Sequence, residues 1–376
     1  MDKLSSTQFL HSIDKELSEL ILKGQDHKAF DICIQLSSLN SNDPVFWSLL
    51  ANYFSLLKYY EESAEAWQRI IDLNPDPRFY YHQSLPVLKT GNLKKGLELH
   101  EARIEPFLKQ VPKGKLWRGE DITGKNLLIY CHSGLGDSIQ FLRYVPYLKK
   151  HCNVLLQLQP ELHELFRHLD VPMYSSLNWE DTALDRIIYH DSLPYCFKTD
   201  LSSIPPPVPL QSHLSPIKGK IGIAWRTETE NPCSDPCIYP GKSINLRQFV
   251  PLFNCPEVKF VVVQKKISPE EADLLDQYGI ERPKIETFTD TLQILQGCEL
   301  VISCDTSTAH LSGSMGIATW VLIPYLPCWR WGKSQTDSPW YPSMRLFRNH
   351  KRSNCWHETI EEIKLELLNL YKRENI

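Results

Sequence analysis

Residues 126–148 read NLLIYCHSGLGDSIQFLRYVPYL. The run Asn126 to Cys131 is apolar and short, the length of one buried strand. A glycine turn follows, His132-Ser133-Gly134-Leu135-Gly136-Asp137, and from Ile139 to Leu148 the pattern is helical. Strand, glycine turn and helix in that order open a doubly wound α/β domain. Glycines after a strand let backbone approach a ligand, and the next helix offers free N–H groups. A third glycine at dinucleotide-fingerprint spacing is lacking, and so is a partner acid. Asp137 has two readings at this point. It caps the helix, or it is a carboxylate facing a cleft and placed to take a proton from a hydroxyl.

Working outward, Val154–Leu158 supplies a second strand and Glu161–Leu169 a second helix. The run Ser202-Ser203-Ile204-Pro205-Pro206-Pro207-Val208-Pro209 is an extended connector, expected to act as an inter-domain hinge. A second α/β block starts at Lys220. Its expected strands are Ile221–Trp225, Val258–Val263, Leu300–Cys304 and Thr319–Ile323; its helices are Pro269–Tyr278, Leu292–Cys298 and Thr359–Tyr371. Two alternating blocks imply two parallel sheets facing a cleft.

Upstream, residues 10 to 110 are helical with a repeat of roughly 34 residues, the tetratricopeptide period. Trp47, Leu50, Ala51 and Phe54 share one helical face, Ala64, Trp67 and Ile70 the next, and Pro75 closes the unit. Gly24 and Gly91 mark the turns of the flanking copies. The expected organisation is a repeat domain over 1–112, an acceptor-side Rossmann-like domain over 113–210, and a donor-side domain over 211–376. A plain helical bundle is the alternative for the first segment.

Of 376 residues, 23% are charged and the formal net charge is -4, which argues against a dedicated nucleic-acid binder. No apolar run reaches the roughly 18–20 residues that cross a bilayer. Met1 to Leu10 lacks the apolar core of a signal peptide. The expected compartment is therefore cytoplasmic, with the eleven cysteines as reduced thiols. Cys233 and Cys237 form one C-x-x-x-C without a second ligand pair, and no metal is expected there.

Three further stretches carry candidate chemistry. Ser303-Cys304-Asp305-Thr306-Ser307-Thr308-Ala309-His310 runs from a strand end into a helix, an anion site suited to a diphosphate or simply a capping sequence with a packed histidine. Gly241-Lys242-Ser243 offers one cation, and Trp225-Arg226-Thr227 ends a strand of the same half. Pro327-Cys328-Trp329-Arg330-Trp331, with Ser338-Pro339-Trp340-Tyr341-Pro342 and Arg345-Leu346-Phe347-Arg348 shortly after, is an aromatic-rich irregular loop. It forms a platform for a base or sugar ring, or it buries itself.

In this order the stretches GLGDSIQFLRYVPYL, IGIAWR, GKSINL, VVVQ, SCDTSTAHLSGSMG and CWRWGKSQTDSPWYPSMRLFR resemble glycosyltransferase family 9, the heptosyltransferase-like enzymes, and its tetratricopeptide-bearing relatives. The likeness covers residues 124 to about 350. It implies a GT-B fold, a nucleotide-diphosphate sugar as co-substrate with no other cofactor, and an inverting transfer without a metal. By the resemblance Asp137 is the general base. Asp305, Thr306, Ser307 and His310 hold the donor diphosphate with Lys242, and Gln264 lies near the donor ribose or base. Gly136, Arg226, Trp329 and Trp331 are possible cleft-lining residues. Ser307 stands where the heptosyltransferases have glycine, and the CWRW…SPWYP loop is that of the repeat-bearing relatives. Both departures speak against heptose as donor and a lipid A core as acceptor. The acceptor is expected to be a protein or glycan brought by the repeats. A non-catalytic scaffold on a decayed transferase fold is the rival reading, and a Rossmann oxidoreductase or kinase a third.

Overall fold

The computed structural model describes residues 3–39, 41–180, 182–210, 215–227, 242–256 and 258–372. Gly241 and the Cys233–Cys237 pair fall outside them. The chain forms two compact units, Met1–Leu108 with Cys328–Lys333, and Lys109–Pro327 with Ser334–Ile376.

Among the described residues the first unit contains six α-helices in three pairs: α1 (Lys3–Leu22) and α2 (Asp26–Ser37), α3 (Pro44–Leu56) and α4 (Tyr60–Leu73), α5 (Pro77–Lys89) and α6 (Leu93–His100). Two pairs start by one device. Asp43 and Asp76 accept hydrogen bonds from the N–H of Val45 and Arg78, each at 2.9 Å, and Pro44 and Pro77 follow at the first helical position. Trp47, Leu50, Ala51 and Phe54 of α3 are buried, as their spacing predicts. On α4 the small buried residues are Ser63 and Ala66, and Ala64 is only half-buried. The Ser63 hydroxyl donates to the Ala51 carbonyl at 2.9 Å, tying α4 to α3. A Cβ on Gly96 would lie 2.6 Å from the Leu88 side chain, so glycine sets the approach of α6 to α5.

The second unit holds two parallel sheets. The first has the order β3-β2-β1-β4, with β1 Asn126–Tyr130, β2 Asn153–Gln157, β3 Met173–Tyr174 and β4 Arg186–Tyr189. The second has the order β6-β5-β7-β8-β9, with β5 Ile217–Ala224, β6 Lys259–Val262, β7 Cys298–Cys304, β8 Ala318–Ile323 and β9 Met344–Arg348. Their central strands are near-continuous apolar runs, as parallel strands covered on both faces require. The second sheet's core gathers Ile221, Ile223, Val262, Leu300 and Ile302 beneath Phe249, Leu275 and Ile360.

Between the strands run α7 (Leu135–Phe141), α8 (Val145–Leu148), α9 (His163–Phe166), α10 (Leu193–Cys196), α11 (Val250–Phe253), α12 (Pro269–Gln277), α13 (Phe288–Gln296) and α14 (Ser307–Ser314); α15 (His357–Lys372) follows the last strand. The helix expected over 139–148 is broken: a 3₁₀ turn at Leu142–Tyr144 separates α7 from α8, where Pro146 lacks an N–H and its ring crowds the turn before it. The short helix expected at Leu292 starts earlier, because Thr287 and Asp290 form a reciprocal capping box. Strand β9 lies within the stretch that the sequence presents as an irregular aromatic loop.

Two doubly wound sheets joined through their carboxyl edges, with paired helices ahead of them in the chain, make the GT-B arrangement that the resemblance implies. The proline connector is packed. Val208 and Leu210 are buried, and the Pro205 carbonyl accepts a hydrogen bond from the Arg143 guanidinium at 3.0 Å. Among the described residues no helix is long and apolar enough to cross a membrane.

Candidate functional site

Strand order reverses between β1 and β4 in one sheet and between β5 and β7 in the other. Ligands of doubly wound sheets bind beyond the carboxyl ends of the strands at such points. Both glycine- and hydroxyl-rich stretches singled out in the sequence sit there, Gly134–Asp137 after β1 and Asp305–His310 after β7.

The two segments meet. Helices α7 and α14 pack together, and a Cβ built on Gly136 would fall 2.7 Å from Cδ2 of His310 and 3.4 Å from Cα of Ser307. Gly134 is the N-cap of α7, with extended backbone and no side-chain cap. Asp137 is therefore not the cap; it lies in the first turn, half-buried, with Oδ2 on the Gly134 side.

On the facing helix, Thr306 is the N-cap of α14, and its carbonyl accepts from the N–H of Ala309 at 3.1 Å and of His310 at 3.3 Å. The N–H groups of the first helical turn have no acceptor within the helix, and the dipole adds partial positive charge there. Asp305 is buried. Its Oδ2 lies 2.7 Å from Lys242 Nζ and its Oδ1 4.0 Å from His310 Nε2. His310 Nδ1 is 3.1 Å from the Tyr341 hydroxyl, with both side chains buried. Beneath them, burial pushes the Cys304 thiol well above its ordinary range and the Asp305 carboxylate adds to the shift, which makes it an inert packing group.

The structure thus brings Gly136, Lys242, Asp305, Thr306, Ser307 and His310 into one neighbourhood, with Asp137 one residue beyond Gly136. Gln264 is buried, its Oε1 accepting from the Arg226 N–H at 3.2 Å across the ends of β5 and β6. The Arg226 guanidinium is engaged within its own half of the fold, where Nη2 donates to the Lys266 carbonyl at 2.7 Å and Nη1 lies 3.3 Å from Glu271. Trp329 and Trp331 do not form an open platform. Both are buried and cluster with the helical unit, where the Trp329 ring meets His100 edge-on at 6.2 Å.

Sequence reading misses two residues of this neighbourhood. Tyr341, from the aromatic loop, fixes the His310 ring. Arg143 is buried and donates to the carbonyls of Gln140 (2.7 Å), Pro205 (3.0 Å) and Trp340 (2.9 Å), with its guanidinium 4.9 Å from the Tyr341 ring centre. A helical arginine reads as solvated, and only the tertiary fold reveals three carbonyls around it.

No protein-family model matches the chain. A curated relative, Protein FlbA of Caulobacter vibrioides (strain ATCC 19089 / CIP 103742 / CB 15), is 25% identical over 321 residues, covering 75% of this chain and 53% of FlbA. The chain spans about half the length of that relative. Among solved structures it is similar to the iron-containing dodecameric glycosyltransferase TibC from enterotoxigenic E. coli H10407, at 13% identity over 65% of this chain and 66% of that one, with a TM-score of 0.45. It is also similar to the E. coli ADP-heptose lps heptosyltransferase II, at 11% identity over 66% of this chain and 99% of that one, with a TM-score of 0.43.

Proposed function

We propose that the protein is a glycosyltransferase that moves a sugar from a nucleotide-diphosphate donor to a hydroxyl of a protein or glycan, with inversion. The observation that carries this reading is the meeting of the Asp137 turn with the Asp305–His310 segment at Gly136. Asp137 takes the acceptor proton as the acceptor oxygen bonds to the anomeric carbon and the bond from that carbon to the diphosphate breaks. One base and no carboxylate nucleophile suit a single displacement. Charge developing on the diphosphate is met by the first-turn N–H groups of α14, by the Thr306 and Ser307 hydroxyls, by Lys242 and by His310, so the leaving group is served without a divalent ion.

Asp305 takes a different part from the one the resemblance implies. A buried carboxylate repels a diphosphate, so Asp305 acts through its partners, holding Lys242 and His310 toward the ligand. The test is calorimetry and thermal shift of the full chain against a panel of nucleotide sugars, followed by transfer assays. One donor stabilises the fold, His310→Ala weakens its binding at least about tenfold, and Asp137→Asn lowers transfer by roughly 10²–10⁴ with donor affinity kept. Absence of binding by every donor and free nucleoside diphosphate would leave the scaffold reading in its place.

A further inference from the structure

A second group of chemistry-bearing side chains lies at the β1/β4 switch point, on the strand ends beside the Gly134–Asp137 turn. Strands β1 and β4 pair in parallel with Tyr130 opposite Tyr189. Continuing past that pair, β1 delivers His132, and β4 delivers His190 and Asp191. One ligand atom from each of the three, a ring nitrogen from both histidines and a carboxylate oxygen from Asp191, lies within 4.8 Å of the others. His190 is fully buried; His132 and Asp191 are half-buried.

From this geometry we infer that His132, His190 and Asp191 form a binding site for a divalent first-row transition ion of the zinc class. Two imidazoles and one carboxylate are the borderline donor set that such ions take, and three protein ligands leave further positions open. With bonds of about 2.0–2.2 Å, ligands around a tetrahedral ion sit about 3.3 Å apart, so the trio closes on an ion by side-chain rotations of about an ångström.

The surroundings hold the ligands in place. His190 Nε2 is 3.0 Å from the Ser133 hydroxyl, which directs the ring's other nitrogen to an ion. The backbone carrying His132 and Ser133 is anchored in turn: Gln159 Nε2 donates to the Ser133 carbonyl at 2.6 Å, and Gln159 Oε1 accepts from the Ser138 hydroxyl at 2.9 Å. Ligands on the ends of two paired strands, with a hydroxyl behind one of them, have the rigid support that metal sites need. The site is separate from the Lys242, Asp305 and His310 group and does not rest on the sugar-transfer reading.

The experiment is metal binding by the full chain. Chelator-treated protein is dialysed against Zn²⁺ and, in parallel, Co²⁺, and the bound metal is counted by mass spectrometry and by the visible absorption of cobalt. The wild type takes up one equivalent. His132→Gln and Asp191→Asn each weaken binding at least about tenfold, as does Ser133→Ala behind His190. Circular dichroism of the half-exposed His132 and Asp191 variants separates ligand loss from unfolding. No uptake by the wild type at micromolar metal overturns the inference. So does equal uptake by the His132→Gln, Asp191→Asn double variant. Metal that disappears only in Cys233→Ser, Cys237→Ser would place the ion in the cysteine loop and overturn it equally.

Discussion

Gly136 and His310 are in contact across the two sheets, so close that a Cβ on the glycine would lie 2.7 Å from the imidazole Cδ2. Real carbon atoms do not approach to that distance, so Gly136→Ala must displace the ring or part the helices. The ring is the better held of the two, because Tyr341 and Asp305 flank it. The expected result is a loss of about 1–3 kcal/mol in denaturant-measured stability, the usual cost of overpacking. Donor affinity should fall together with it. Unchanged affinity and stability would show that the two helices can separate freely.

Tyr341 holds the His310 ring through the 3.1 Å contact between its hydroxyl and Nδ1. Tyr341→Phe keeps the ring and removes the hydroxyl, stranding a buried polar atom at a cost of about 1–3 kcal/mol. NMR of the His310 ring should report a changed tautomer balance, and donor affinity should drop several-fold. A variant with unaltered imidazole shifts would mean that Asp305 alone orients the ring.

These residues mark where sequence stops being informative. The strands around Gly136 are legible because a buried parallel sheet writes itself as short apolar runs, and the turn after β1 because glycine and Asp punctuate it. Strand β4 is not, since Arg186–Tyr189 holds only two aliphatic residues, Ile187 and Ile188, before the polar His190-Asp191 cuts the apolar run short. Trp329 and Trp331 are legible as aromatic yet silent on what buries them: the His100 ring that meets Trp329 lies more than two hundred positions earlier. Asp305 and His310 are legible as a strand-to-helix motif, but the 2.7 Å pairing of Asp305 with Lys242 depends on how two distant loops return to one sheet edge.

Arg143 joins α7's 3₁₀ extension to the proline connector and to the Trp340 backbone. Lysine in its place keeps the charge but has no planar fork to serve three carbonyls, and it carries an ammonium that is costlier to bury. Arg143→Lys should therefore destabilise the second unit by about 2–5 kcal/mol, summing unsatisfied acceptors and a poorly paired buried cation. Thermal denaturation with site-specific hydrogen exchange at the Val208 and Leu210 amides, the two N–H groups among the prolines of 205–210, checks it. Exchange there should rise, because the connector loses its anchor.

In the helical unit, the turns inside the three helix pairs use the left-handed backbone at Gly24, Lys58 and Gly91, with φ of 68°, 66° and 91°. Glycine adopts that conformation freely, whereas a side chain there meets its own carbonyl at a cost of about 1–2 kcal/mol. Lys58 is the odd member of the series. Lys58→Gly relieves the strain but gives the unfolded chain more freedom, which returns about 0.5–1 kcal/mol of the gain. The expected net effect is a stabilisation of about 0.5–1 kcal/mol in urea unfolding. Lys58→Ala is the control: it removes the lysine's contacts, keeps the Cβ, and should not stabilise. Gly24→Ala should move the other way by about 1 kcal/mol, although a Cβ there meets nothing within 4 Å, so its cost is conformational alone. If Lys58→Gly and Lys58→Ala proved equally destabilising, the lysine side chain and not the turn geometry would be what this position contributes.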